Sequence, residues 1–365
     1  MVSIRPALAA LRLSTPSRQP LPRALHPGLH TSATRCATPL PHPSIPGPPP
    51  ATPTPAASDA LERVARKRRQ AELLSQAREV RNAPSKSKRI LQKRFWKDVS
   101  VTETEDGLQV FLDARPVRTP AKDILTLPSS KPQLATAIAL EWDLLLSAQQ
   151  ALKTHLIPMT SLASRAVDIE IEDADGESRV RENIISMMMR YLATDTLLCW
   201  APEKVLHETP QNGFTLRETQ IKIATPIIAY LNTHVWPGVE IKPILEPDSI
   251  MPVPQPDMTQ TVIRGWLTGL PAFELAGLER AVLASKSLLV GVRLVHEWSE
   301  AFAHERKSTD AGRRFGIEDA AEAASLEVRW QTHQWGEVDD THDVEKEDMR
   351  RQLGSAILLV SGEAA

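Results

Sequence analysis

The sequence predicts an α+β fold, in which a small antiparallel β-rich unit precedes a mainly α-helical unit. Short segments that alternate apolar and polar residues fill the region 94–130. Beyond it, apolar residues recur at helical spacing almost to the C-terminus. Hydrophobic residues make up 42% and charged residues 24% of the 365 residues, a composition typical of globular proteins.

The first 93 residues have a composition unlike that of a folded core. Residues 1–35 are rich in arginine and hydroxyl residues, and no Asp or Glu occurs before position 59. This pattern predicts a mitochondrial presequence and a matrix location, although a basic tail without a targeting role is the alternative. A Pro-rich linker follows at 36–58. Residues 59–93 form a charged arm with helical spacing, interpreted as a solvated linker or as an electrostatic arm for lipid head groups or ribosomal RNA. The second interpretation leaves open a ribosome- or membrane-associated matrix factor that acts through this arm.

Net charge and cysteine content narrow the function classes. The formal net charge is −2, and loss of the presequence arginines would make the mature chain more acidic, which argues against nucleic-acid binding. Cys199 would then be an isolated thiol, which we expect to be a small core residue in a reducing compartment. No apolar run is long enough for a spanning helix, so we expect no stable membrane insertion.

The predicted β-rich N-terminal domain covers 94–130. Val99 and Val101 alternate with polar residues. Val110 and Leu112 continue this every-second-residue spacing after a Glu-Asp-Gly turn at 105–107. A second turn near 114–116 leads to Val117, and 124–127 gives another short strand. Because a hairpin is unstable alone, we expect this unit to pack on another element.

The predicted helical C-terminal domain covers 131–365. Its first helix carries Leu134, Ile138, Trp142 and Leu145 on one face, so Trp142 is expected in the core or at a seam between domains. Three adjacent methionines at 187–189 are expected to pack in the core rather than to form a client surface. A proline-rich connection interrupts the helices at 237–256, and the further predicted helices are 182–198, 215–234, 257–268, 272–303, 317–334 and 343–360.

Motifs for common chemistries do not occur in the sequence. It has no Gly-rich phosphate loop and no nucleophile elbow, and the segment His296-Glu297-Trp298-Ser299-Glu300 lacks the second histidine of a zinc helix. His333, His342 and Asp343 are closely spaced but more typical of satisfied or exposed side chains than of metal ligands. We therefore expect no enzyme activity, cofactor, metal or catalytic residue. A hydrolase or transferase with a dispersed active site stays open.

Three sequence blocks together resemble the mitochondrial assembly chaperones that bind the alpha subunit of the ATP synthase F(1) sector. They are RFWKDV at 94–99 with LDARPVRTP at 112–120, EWD at 141–143 with PMTSLA at 158–163, and LEVRWQTHQWG at 326–336 with its continuation to 343. The resemblance implies a β-rich domain joined to a helical domain, in a matrix chaperone. It also implies that the protein prevents aggregation of the unassembled alpha subunit and hands it over to the beta subunit. We expect the protein to be monomeric.

The resemblance also indicates where a client would bind. The important acidic residue of the family matches Glu327, although Val328 and Arg329 stand where the family is often more acidic. The alternative for Glu327 is a solvated carboxylate paired with Arg329 or Lys346. Trp335 is expected to be partly structural, beside a helix stop at Gly336. The expected partner-binding residues are Glu327, Trp330, Trp335, Glu337, Asp339 and Asp340.

Overall fold

The computed structural model describes residues 93–203, 210–211, 213–245, 251–306, 313–338 and 341–363. The predicted presequence, the Pro-rich linker and the charged arm up to residue 92 lie outside these ranges, and the predictions made for them stay predictions. The described chain contains a small antiparallel sheet followed by helices, which confirms the predicted α+β class.

The sheet is organised around its second strand. Strand β2 (Gly107–Leu112) pairs antiparallel with β1 (Val99–Thr104), β3 (Arg115–Pro116) and β4 (Thr126–Leu127). The turn predicted at 105–107 joins β1 to β2, and Gly107 has a φ of 137°. A Cβ atom at this glycine would lie 2.3 Å from the carbonyl oxygen of Leu127, so β4 can pair only beside a glycine.

The sheet packs on helices, as expected for a unit that is unstable alone. Leu108, Val110 and Leu112 of β2 are buried together with Leu127 of β4. The covering helices are α1 (Pro132–Leu144) and α2 (Pro158–Ala174), and two short 3₁₀ turns at Ala148–Leu152 and Thr154–Leu156 connect them. Each fully buried Leu or Val of this interface contributes about 1.5–3 kcal/mol.

The remaining helices complete the core. Helix α6 packs against α2, α7 and α10, and ten of its fourteen residues are buried. The fully buried Met188 on α3 confirms that the methionine run packs in the core. The helices are α3 (Arg179–Ala193), α4 (Leu216–Tyr230), α5 (Asp257–Thr268), α6 (Ala272–Ser285), α7 (Leu288–Trp298), α8 (Ala303–Arg306), α9 (Ile317–Trp335) and α10 (His342–Val360).

Two of the predicted helices have different bounds in the structure. The helix predicted at 272–303 is two helices, because Lys286 has a φ of 57° and the Ser287 hydroxyl accepts a hydrogen bond from the N–H of Val290 at 3.1 Å. Helix α3 begins before residue 182 and ends at Ala193 rather than at 198. Beyond it, the buried carboxylate of Asp195 accepts a hydrogen bond from the N–H of Leu197 at 3.0 Å.

Helix α2 was not predicted, and its first turn is capped from another element. The carboxylate of Glu141 accepts hydrogen bonds from the N–H groups of Met159 and Thr160, at 2.6 and 2.9 Å, and from the Thr160 hydroxyl at 2.8 Å. The N–H groups at the start of a helix have no partner within it, so a carboxylate at this position satisfies them. The second resemblance block therefore joins α1 to α2.

Hydrogen bonds and a ring contact join the first resemblance block to the second. Arg94 donates to the carbonyl oxygen of Asp143 at 2.8 Å, and the indole N–H of buried Trp96 donates to the carbonyl oxygen of Trp142 at 3.3 Å. The two indole rings make an edge contact at 5.4 Å, and the Trp142 N–H donates to the Thr160 hydroxyl at 3.1 Å. Trp142 thus lies where the segment before β1 meets α1 and α2, as predicted for a seam residue.

Candidate functional site

Helix α9 carries the third resemblance block and has clear ends. At its start, the Asp319 carboxylate accepts a hydrogen bond from the N–H of Gly316 at 2.8 Å. At its end, Gly336 has a φ of 89° and its N–H donates to the carbonyl oxygen of Thr332 at 2.8 Å, which confirms the predicted stop. Leu326 and Trp330 are buried on the side of α9 that faces the rest of the protein.

A groove runs between α4 and α9. It consists of two adjoining cavities of about 470 and 380 Å³, which share Thr219 and Lys222 of α4. The larger cavity is also lined by Ile223, Pro226, Ile227, Tyr230, Arg293, Phe315, Asp319 and Glu322. The smaller cavity is also lined by Gln211, Phe214, Leu326, Arg329, Trp330 and His333. Because α4 and α9 are about a hundred positions apart, the sequence could not indicate this groove.

Cationic and aromatic side chains are stacked along the larger cavity. The guanidinium carbon of Arg293 lies 3.6 Å from the ring centre of Tyr230 and 4.8 Å from that of Phe315. Arg293 also bonds the Glu297 carboxylate at 2.5 Å. These contacts fix the cation in the groove wall and leave its charge balanced by Glu297.

Glu327 lies on the exposed side of α9. Its carboxylate accepts a hydrogen bond from the side-chain amide of Gln331 at 3.2 Å, and it makes no ion pair with another residue of the described ranges. The pairing with Arg329 that was considered as the alternative for Glu327 does not form, because Arg329 bonds Glu322 at 3.0 Å instead. The charge of Glu327 is therefore available to solvent or to a partner.

Large apolar side chains are exposed on α9 and in the residues that follow it. Val328 and Trp335 are seven positions apart on one face of α9 and are 43% and 53% exposed. Val338 and Val344 are 58% and 59% exposed in the connection to α10 and in its first turn. These four residues form what we call the apolar strip. Because Trp335 belongs to this exposed strip, its burial gives little support to the expectation that it is partly structural.

The other predicted partner-binding residues divide between two environments. Glu337 is exposed directly after the helix stop, between Trp335 and Val338 of the apolar strip. Trp330 lies in the wall of the smaller cavity and is only 5% exposed. Asp339 and Asp340 lie outside the described residues. The structure thus places Glu327, Trp335 and Glu337 on the outside of the molecule and Trp330 in the groove.

Cys199 lies within electrostatic reach of Glu327 on this helix, a relationship that its position in the sequence did not reveal. The thiol is half-buried, and burial raises its pKa, with smaller contributions from the negative charges of Asp195 and Glu327. A raised pKa keeps the thiol protonated and therefore weakly nucleophilic. Cys199 packs against the core, as expected for a small core residue.

Two of the histidines considered as metal ligands make hydrogen bonds to other residues of the protein. His296 is buried, with its ring nitrogens 2.9 Å from the Tyr230 hydroxyl and 3.0 Å from the Glu305 carboxylate. His342 accepts a hydrogen bond from the N–H of Val338 at 3.0 Å. Within the described ranges, no group of three or more His, Cys, Asp or Glu side chains could hold a metal ion. None of the helices in those ranges has the length and apolar character needed to cross a membrane.

Comparison with known proteins identifies similar sequences. The family model described as ATP12 chaperone protein matches residues 93–232. Protein atp12, mitochondrial, of Schizosaccharomyces pombe is 30% identical over 272 residues, which cover 73% of this chain and 81% of that protein. Protein ATP12, mitochondrial, of Saccharomyces cerevisiae is 30% identical over 299 residues, which cover 76% of this chain and 87% of that protein.

A solved structure has the same fold. The crystal structure of Atp12 from Paracoccus denitrificans superposes with a TM-score of 0.53 at 24% sequence identity. The match covers 73% of this chain and 97% of that one. At this level of identity the similarity establishes the fold alone, and it agrees with the α+β architecture described above.

Proposed function

We propose a function for this chain from its family: the chain belongs to the ATP12 chaperone protein family and is an assembly chaperone of ATP synthase. The relatives are named as mitochondrial, in agreement with the Arg-rich start of the sequence. The client we propose is the unassembled alpha subunit of the F(1) sector, held in the mitochondrial matrix and handed over to the beta subunit.

The proposed mechanism is reversible covering of exposed surface. An alpha subunit without its neighbours would expose the apolar patches that later face beta, and such patches drive aggregation. A chaperone that binds this surface lowers the concentration of free, aggregation-prone chains by mass action. The beta subunit would then displace the chaperone, because beta covers the same surface more completely. We propose that this handover uses no bond chemistry by the chaperone.

The observation that supports this proposal is the apolar strip on and after the helix that carries Glu327, whose carboxylate has no ionic partner within the described ranges. Val328, Trp335 and Val338 offer apolar area, and exposed tryptophans are enriched among the residues that dominate binding energy. Glu327 and Glu337 add negative charge without a described ionic partner. Such a surface fits a client patch that is apolar at its centre and basic or polar at its edge.

Trp330 has a different role in this proposal. Its ring is buried in the wall of the groove, so it has little surface left for a client on the outer face of α9. We propose that Trp330 holds α9 against the protein, which keeps the apolar strip in a fixed orientation, whereas Trp335 contacts the client.

The test is the charge reversal Glu327→Lys in the mature chain. Tagged protein is mixed with refolding alpha subunit, and the soluble alpha that co-purifies is measured. We expect capture to fall by about tenfold or more, because a cation would then face the basic or polar edge of the client. Circular dichroism and the unfolding midpoint should stay at their wild-type values, because Glu327 is exposed.

The matched control is Glu105→Lys, which reverses an exposed carboxylate in the β1–β2 turn. It changes the net charge by the same amount, and we expect it to leave capture unchanged. Wild-type capture of alpha by Glu327→Lys would contradict the proposed role of this face. Failure of the wild-type chain to keep alpha soluble would contradict the proposed client.

A further inference from the structure

The smaller cavity of the groove differs in charge from the outer face of α9. Lys222 from α4 and Arg329 and His333 from α9 line it, and among the described residues no Asp or Glu contributes to its lining. Only Arg329 has a carboxylate partner, since it bonds Glu322 at 3.0 Å, whereas Lys222 makes no ion pair within the described ranges. Helix α9 thus carries the acidic residue Glu327 on its outer face and borders a cavity with cationic side chains on another face.

Apolar and aromatic surface lies beside Lys222 and Arg329 in this cavity. Leu326 and Trp330 are buried in the cavity wall, and Phe214 stands partly exposed at its edge. The Lys222 ammonium lies 5.0 Å from the ring centre of Phe214. Reciprocal backbone hydrogen bonds between Gln211 and Phe214, at 2.9 and 3.0 Å, fix this edge. The cavity of about 380 Å³ therefore combines a fixed aromatic rim with an ammonium group that has no ion-pair partner in the described part of the chain.

An unsatisfied donor lies among the same residues. The side-chain nitrogen of Gln211 is buried and has no hydrogen-bond partner among the residues that the structure describes. A buried donor without an acceptor costs free energy, so an acceptor supplied by a ligand would be favoured at this position. Carboxylate oxygens accept hydrogen bonds from amides and pair with ammonium and guanidinium groups.

We propose that this cavity binds a peptide segment of a protein partner that carries an acidic side chain next to an apolar one. The carboxylate pairs with Lys222 and accepts from Gln211, and the apolar side chain packs between Phe214 and Trp330. The charge of the lining decides the partner class: a basic peptide would place like charges beside Lys222 and Arg329. This inference does not depend on the identity of the client proposed above.

The experiment uses the mature full-length chain and a randomised pool of twelve-residue peptides. Peptides retained by the immobilised protein are sequenced, and the best binders are resynthesised with Glu or Asp replaced by Gln or Asn. We expect retained peptides to be enriched in acidic residues adjacent to Phe, Leu or Trp. The amide versions should bind about tenfold more weakly in fluorescence anisotropy. Hydrogen exchange should show that bound peptide protects 213–222 and 326–333.

Lys222 and Phe214 are exposed, so substitutions at these two positions test the cavity without disturbing the core. Lys222→Glu should weaken binding by at least about tenfold, and Phe214→Ala should weaken it for Glu and Gln peptides alike. Lys97→Glu is the control, since Lys97 is exposed before β1 and should not matter. The proposal is overturned if the retained peptides show no acidic preference, if they protect another region, or if Lys97→Glu weakens them as much as Lys222→Glu. Wild-type capture of alpha subunit by Lys222→Glu would leave the function proposed for the outer face intact.

Discussion

Glu327 and Trp330 are three residues apart on α9, but the helix turns them towards different surroundings. The Glu327 carboxylate is exposed and bonded only to Gln331 among the described residues, whereas the Trp330 ring is 5% exposed in the groove wall. Loss of function at these positions would therefore have different causes. A change at Glu327 alters charge on the surface, and a change at Trp330 alters packing beneath it.

Truncation of the two tryptophans of α9 should separate stability from binding. Trp330→Ala removes a buried ring and should lower the free energy of unfolding by about 3–5 kcal/mol. Trp335→Ala removes an exposed ring and should change the free energy of unfolding by less than about 0.5 kcal/mol. Urea unfolding measures both, and co-purification of alpha subunit should fall in Trp335→Ala although the protein stays stable. Equal destabilisation by the two variants would contradict the assignment.

The Glu141 carboxylate should be a stability determinant rather than a binding residue. Glu141→Gln leaves an amide nitrogen opposite backbone N–H groups of α2, so the free energy of unfolding should fall by about 1–3 kcal/mol. Asp143→Asn is the control two positions later, where the ion pair with Arg94 is largely exposed and should contribute less than about 1 kcal/mol. A Glu141→Gln protein as stable in urea as Asp143→Asn would show that this cap is dispensable.

The sequence predicted those elements whose determinants are local. The Glu-Asp-Gly turn and the stop at Gly336 need a positive φ, and glycine marks each of them. Helix α2 was missed because its capping carboxylate lies eighteen positions before Met159, on another helix. The break at Lys286 was missed because neither glycine nor proline marks it.

The site was predictable only in part, for the same reason. The resemblance to the family indicated Glu327 as a partner-binding residue, and its exposure agrees with that expectation. The exposure of a surface side chain does not depend on contacts with residues distant in the sequence. The role of Trp330 depends on Phe214 and Lys222, which border the same cavity from a segment about a hundred positions away. Periodicity along α9 could not show which element covers its apolar side.

Asp195 should make stability depend on pH in a direction opposite to that of a salt-bridged carboxylate. Complete burial raises its pKa to about 6, although Ser287 and the N–H groups of Leu289 and Leu197 donate hydrogen bonds to it. Between about pH 4 and 6 the folded state holds a proton that the unfolded state has released. Stability from this group is therefore present at low pH and falls as pH rises to 6, by on the order of 3 kcal/mol.

The difference between wild type and Asp195→Asn isolates this contribution. Asparagine does not titrate, so the fall in unfolding free energy from pH 4.5 to pH 7 should be smaller in the variant, whatever its absolute stability. Asp175→Asn, at an exposed position after α2, should keep the wild-type pH profile. Parallel profiles for wild type and Asp195→Asn would mean that Asp195 is ionised throughout.

Lys131 should be coupled to Glu300 by several kcal/mol. The ammonium is 2% exposed, lies 2.6 Å from the Glu300 carboxylate, and donates to the carbonyl oxygens of Val360 and Ser361 at 3.2 and 3.3 Å. Lys131→Met leaves these acceptors without their cation, so the free energy of unfolding should fall by about 3–5 kcal/mol. The double variant Lys131→Met with Glu300→Gln removes both charges and should recover part of that loss. A double-mutant cycle in urea measures the coupling, and additive losses would mean that the two charges do not stabilise each other.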